Sequence, residues 1–172
     1  MRFEEYVAQR RTALCRFAGV LSGDPALADE IVADVLGIAY ERWERIGRVE
    51  NPHAYVRRMI VNEYLGWRRR AMRTAVRSDV GDLLAPARDH AEAHAEHSEL
   101  VDELRRLPAK QRAALVLRYY EGLPFDEIAR MLGTGENAVR SNVSRALKKL
   151  RVELAPEGEP ARFPVAVEEG AR

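Results

Sequence analysis

A single cysteine, Cys15, is all the chain has, and one thiol excludes both an internal disulfide and a thiolate zinc cluster. Cys15 stands among Leu14, Phe17, Ala18 and Leu21, so its expected place is in apolar packing. No apolar run approaches the roughly 20 residues of a membrane-spanning helix. The opening Met1-Arg2-Phe3-Glu4-Glu5 lacks the basic-then-apolar order of a secretory signal, and a cytoplasmic address is expected. Sustained period-two alternation of β-branched residues is missing as well, which argues against sheets. Net charge is nearly absent too, at +1 over 172 residues. That average, taken alone, speaks against a partner as anionic as nucleic acid.

What is present corrects the average. Between Arg57 and Arg77 stand seven arginines against one acid, Glu63. From Asp79 to Glu103 eight acids face a single base, Arg88. From Asn137 to Arg151 there are five bases and no acid. Two basic blocks flank an acidic one, and such segregation is the informative quantity. A hydrophobic fraction of 47% is enough for packed cores, and 32% charged residues give a soluble surface.

Apolar residues recur at helical spacing throughout, which predicts an all-α chain. A first helix over 3–21 ends at Ser22-Gly23. Asp24-Pro25 then reads as a cap followed by proline at the first helical position. One helix over 26–46 follows, with Val32, Val35, Leu36, Ala39, Trp43 and Ile46 on one face. Asn51-Pro52 repeats the opening for a helix to about Arg73. Residues 74–97, with Gly81 and Pro86, read as a solvated linker. Further helices are expected from Ser98, after Leu107-Pro108, over 125–132 and over 137–154. The tail from Ala155, rich in Pro and Gly, reads as disordered. The domains are therefore 1–77, a tether 78–97, and 98–154, with a tail 155–172: two small helical domains joined by a flexible acidic linker.

The last two helices meet at a short glycine-containing turn, and the second is basic, as in a helix-turn-helix. Ile128, Ala129, Leu132, Val139, Val143, Ala146, Leu147 and Leu150 form the inward face. Asn137, Arg140, Ser141, Ser144, Arg145 and Lys148 share the outward one. Arg and Asn carry the side-chain geometry for guanine and adenine edges in a major groove. Arg145, Lys148, Lys149 and Arg151 suit phosphates.

The helix from Pro52 carries Arg57, Arg58, Asn62, Arg68, Arg69, Arg70 and Arg73 around an apolar face of Val56, Met59, Ile60 and Trp67. Arg58, Asn62 and Arg69 fall on one stripe. Tyr55, Tyr64 and Trp67 are interleaved with the cations, a pattern suited to single-stranded DNA, whose backbone needs cations and whose bases need faces to stack on. Trp67 fits the core equally well. On the helix before it, Asp29, Glu30, Asp34, Glu41 and Glu44 make an acidic surface, which suits either solvent or a basic protein partner.

Read together, these segments resemble the extracytoplasmic-function class of sigma factors, and the SigE-type subgroup within it. Ala28-Asp29-Glu30-Ile31-Val32-Ala33-Asp34-Val35 is similar to the helix that docks on the polymerase β′ clamp. Asn51-Pro52-His53-Ala54-Tyr55-Val56-Arg57-Arg58, with Asn62 and Trp67-Arg68-Arg69-Arg70, is similar to the helix that melts and reads the −10 element. The spacing from Leu107-Pro108 through Arg118, Gly122, Glu127-Ile128-Ala129, Gly133 and Arg140 to Leu150-Arg151 is similar to region 4, which grips the −35 element. The resemblance implies a factor that binds core RNA polymerase (β′ clamp and β flap) and promoter DNA, opens the strands and starts transcription without covalent chemistry. An anti-sigma factor is a further implied partner; a membrane, a small-molecule substrate and a cofactor are not. It assigns Asp29, Glu30, Asp34 and Glu41 to polymerase. Arg58, Asn62, Trp67, Arg68, Arg69 and Arg70 go to the −10 element, and the outward set of the last helix to the −35 element.

Departures fall at informative places. Ala33 replaces the usual glutamine and Leu36 a frequent phenylalanine, both on the docking helix. Gly135, Asn137, Ala138 and Asn142 depart at the start and DNA-facing turn of the last helix, so the preferred −35 sequence does not carry over from relatives.

Two other readings compete. An autonomous helix-turn-helix repressor accounts for 98–154, yet leaves the arginine-rich and acidic helices without a task. His90, His94 and His97 are spaced for one helical face and for zinc. However, His90-Ala91-Glu92-Ala93-His94 is not the zinc-peptidase order, and rigidifying apolar neighbours are lacking. No residue is assigned to a metal or to catalysis. The acidic linker, by charge and position, is expected to thread near the polymerase active-site channel.

Overall fold

The computed structural model describes residues 1–77 and 99–150. The acidic tether, the three histidines, Arg151 and the tail lie outside the described residues. Every regular element described is a helix. Contacts divide the chain between Lys110 and Gln111 into two units.

In the first unit α1 (Phe3–Ser22), α2 (Pro25–Glu41) and α4 (Pro52–Arg77) pack on one another. The sequence places apolar residues on the facing stripes: Tyr6, Leu14, Phe17 and Leu21 of α1, Ile31, Val32 and Val35 of α2, and Val56, Ile60, Val61 and Tyr64 of α4 are all buried. The turn from α1 to α2 is built by two local devices. Gly23 adopts φ 73°, a left-handed conformation that glycine takes without a Cβ penalty, and its N–H donates to the Gly19 carbonyl. Asp24 then caps α2, accepting from Ala26 N at 2.9 Å and Leu27 N at 3.2 Å. Asn51 does the same for α4, accepting from Ala54 N at 2.9 Å.

The helix expected over 26–46 is in fact two, α2 and the short α3 (Trp43–Ile46). Arg42 leaves the helical path at φ −111°, ψ 12°. The cause is aromatic: Trp43 packs edge-on against Phe3 at 5.3 Å between centroids and lies 4.8 Å from Tyr6. Its indole N–H donates to the Met1 carbonyl at 3.1 Å. Cys15 is half-buried rather than enclosed. It lies at the α1–α2 seam beside Asp29, and partial burial, followed by the hydrogen bond to that carboxylate, pushes its thiol up. A thiol held protonated is a poor nucleophile.

α5 (Glu99–Arg105) groups with the first unit, where Arg105 donates to the Gly23 carbonyl. α6 (Ala109–Tyr119) runs into the second unit, with Ala113 through Leu117 all buried. α7 (Phe125–Leu132) and α8 (Glu136–Leu150) pack together through buried Ile128, Ala129, Val139, Val143 and Ala146. Between them Gly133 sits at φ 61°, and Gly133 N–H and Thr134 N–H both close on the Ala129 carbonyl. A left-handed residue ends α7 abruptly and lets α8 leave in a new direction.

Candidate nucleic-acid interface

On α8 the side opposite Val139, Val143 and Ala146 carries Asn137, Arg140, Ser144, Arg145 and Lys148, all exposed, with Ser141 half-buried at its edge. Sequence spacing therefore becomes one contiguous polar face, because residues three and four apart stand over one another on a helix. Arg140 is not loose on that face. Its Nε and Nη2 donate to one Glu136 oxygen at 3.0 and 2.6 Å. Its guanidinium carbon also lies 4.3 Å from the Phe125 ring centroid. Arg118 of α6 approaches the same ring at 4.7 Å and donates to the Leu123 carbonyl at 3.1 Å.

The α4 residues separate into groups. Arg58, Asn62 and Arg69 are exposed along one stripe. Arg70 is exposed too, but its Nη2 donates to Glu63 at 2.6 Å, so its charge is partly met within the helix. Arg68 and Trp67 are half-buried, and the Arg68 Nε has no hydrogen-bond partner among the described residues. Tyr64, read in sequence as one of the interleaved aromatic faces, is fully enclosed and belongs to the core. Tyr55 stays exposed. The start of α4 is held from below: the Tyr6 hydroxyl lies 3.1 Å from His53 Nδ1. Burial, then the charges of Arg57 and Arg10, lower His53 to about 4, so the ring is neutral. Burial raises Tyr6 to about 12. A protonated phenol and a neutral imidazole suit a donor–acceptor pair.

On α2, Glu30, Asp34 and Glu41 are exposed on one stripe, with Ile38 next to Asp34 one turn on. Asp29 is also exposed but turns towards Cys15, away from that stripe. Among the described residues no cluster of His, Cys, Asp and Glu could hold a metal ion, and no helix is long and apolar enough to cross a membrane.

The sequence assigned no site role to Phe125 or Glu136, and placed Arg118 only in the region 4 spacing. The Glu136–Arg140 pair carried a visible signal, its four-residue spacing. The ring contact did not, since it joins residues from three helices.

Two helical units, one carrying an arginine-rich helix and the other ending in a basic helix-turn-helix, define a promoter-recognition subunit. Family models agree: "Sigma-70 region 2" matches residues 6–74 and "Sigma-70, region 4" matches residues 97–150. The chain belongs to the sigma-70 family, in its extracytoplasmic-function class, and acts in promoter recognition by RNA polymerase and transcription initiation, not as an enzyme. It is 36% identical to the RNA polymerase sigma-E factor of Streptomyces coelicolor over 94% of this chain and 91% of that one. Identity is 30% to the ECF RNA polymerase sigma factor SigL of Mycobacterium tuberculosis, over 91% and 88% of the two chains. Among solved structures, the sigma factor RpoE in complex with the anti-sigma factor NepR from Bartonella quintana is similar at TM-score 0.68 and 25% identity, covering 88% of this chain and 98% of that one.

Proposed function

We propose a division of labour within initiation. The outward residues of α8, Asn137, Arg140, Ser141, Ser144, Arg145 and Lys148, bind the −35 duplex. Arg58, Asn62 and Arg69 of α4, with Trp67, Arg68 and Arg70 at their side, capture the separated −10 strand. The α2 stripe of Glu30, Asp34 and Glu41 docks on the β′ clamp of core polymerase, with Asp29 contributing from the neighbouring face turned towards Cys15, and the second unit reaches the β flap. The domain limits that go with this are region 2 over 1–77, a tether over 78–97 and region 4 over 98–154. The work takes place in the cytoplasm.

One observation carries the reading: the α8 polar set occupies a single exposed face while the alternate positions are buried in α7–α8 packing. A surface helix needs only some of its charges outward; here the outward face offers base-reading and phosphate-binding groups together. Strand capture follows from α4 in the same way. An exposed cationic stripe follows the phosphates, and stacking on Tyr55 or Trp67 offsets part of the lost base pairing. The solved RpoE–NepR complex supports an anti-sigma factor as a further partner.

The test compares holoenzyme on closed promoter duplex and on a template whose −10 region is already unpaired. Arg145→Ala or Lys148→Ala should weaken binding to both templates and reduce the slope of log affinity against log salt by about one each. Combined R58A, N62A and R69A should leave the first encounter with duplex intact and abolish permanganate reactivity of −10 thymines. The reverse assignment, with α8 variants blocking opening and α4 variants blocking duplex binding, would refute the division.

A further inference from the structure

Arg140 has the charge and donors to read a base, but a free arginine on a surface helix samples many rotamers, and each must be given up on binding. Here the rotamer is already restricted. Glu136, one turn earlier on α8, takes Nε–H and one Nη2 hydrogen. Phe125 from α7 lies against the guanidinium at 4.3 Å. The ring in turn meets Arg118, whose Nη1 is fixed on the Leu123 carbonyl at the α6–α7 turn. Among the described residues, what remains unengaged on Arg140 is the Nη1 pair and the outer Nη2 hydrogen. These are the end-on donors that match the O6 and N7 acceptors of guanine.

We propose that Phe125 and Glu136 are positioning residues that set the base preference of this recognition helix by presenting Arg140 end-on. The proposal rests on α8 being the −35 reader. Glu136 has a second effect of the opposite sign. A carboxylate at the DNA-facing start of α8 repels phosphates, so it lowers affinity for all sequences while sharpening the choice among them. Loss of a residue that merely held the fold together would instead lower both affinity and discrimination.

The experiment titrates holoenzyme on a set of −35 duplexes carrying every single base substitution, at two salt concentrations. Glu136→Gln should bind non-cognate duplex more tightly, yet discriminate less at one base pair. Phe125→Leu keeps apolar bulk without a π face, and should lose about two- to fivefold of discrimination at that same position, the size of an exposed cation–π contact. Phe125→Tyr should restore it. Arg140→Ala identifies the position and separates the two claims. If Arg140→Ala changes no base preference, the assignment of Arg140 to base reading fails. If Arg140→Ala relaxes one position while Glu136→Gln and Phe125→Leu discriminate there as wild type does, only the positioning role fails. Glu136 is exposed, so its variant keeps the test decisive even if Phe125→Leu lowers the melting temperature.

Discussion

At the scale of single residues, the same side-chain type takes different tasks according to what lies beside it. Arg69 is exposed, Arg70 is answered by Glu63, and Arg68 is half-buried, although the three are consecutive in the chain. Helical rotation places them on different faces, and only the neighbouring side chains decide which charge stays exposed. His53 shows the same dependence in its titration. It faces Tyr6 and Arg10 from α1 and Arg57 from its own helix, and is lowered to about 4. The unfolded ring takes a proton near its ordinary pKa of about 6.5, while the folded ring resists it. Its contribution to stability is therefore complete above that value and is lost as pH falls from there towards about 4. Urea midpoints measured from pH 7.5 to 4.5 should fall more steeply for the native chain than for His53→Gln, which cannot titrate. Equal slopes would mean that His53 is not the group responsible.

Elements were largely legible where local chemistry decides them. Asp24-Pro25 and Asn51-Pro52 announce helix starts because a side-chain oxygen satisfies otherwise orphaned N–H groups. The amphipathic spacing of α8 was equally plain. Three features could not be read off. The break at Arg42 depends on Trp43 packing against Phe3 and Tyr6, some forty positions earlier, and no window of helical periodicity contains that. Tyr64 looked like a stacking platform among arginines, yet the apolar stripe of α4 is wide enough to enclose it. Phe125 was just another apolar residue at the start of α7 until Arg118 and Arg140 were seen beside it. The α7–α8 turn offers a direct check on local coding. Gly133 has φ 61° and open space where a Cβ would stand; Gly135 has open space too, without positive φ. Gly133→Ala should thus cost about 1 kcal/mol more than Gly135→Ala by chemical denaturation, from backbone conformation alone. Similar values for the two would place the constraint elsewhere.

At the scale of the molecule, the near-zero net charge is a sum of opposed parts. Fixed arginines on α4 and basic residues on α8 are offset by acids on α2 and in the stretch 79–103. A single uniformly basic surface would bind DNA without choosing polymerase, whereas separated charge lets oppositely charged faces attract different partners. The sequence made this segregation visible because it needs only counting. It did not show where α5 belongs: the contacts group it with the first unit, although the region 4 match begins at residue 97.

Run-off transcription tests the central claim most directly, with purified core polymerase, this chain and a pool of genomic promoter fragments. Core enzyme supplemented with the chain should yield discrete transcripts that core alone does not make. Those transcripts should vanish with the double variant Arg145→Ala, Lys148→Ala, which leaves untouched the α2 acids proposed to dock on polymerase. A chain that binds the fragments and core enzyme but never starts a transcript would contradict the account.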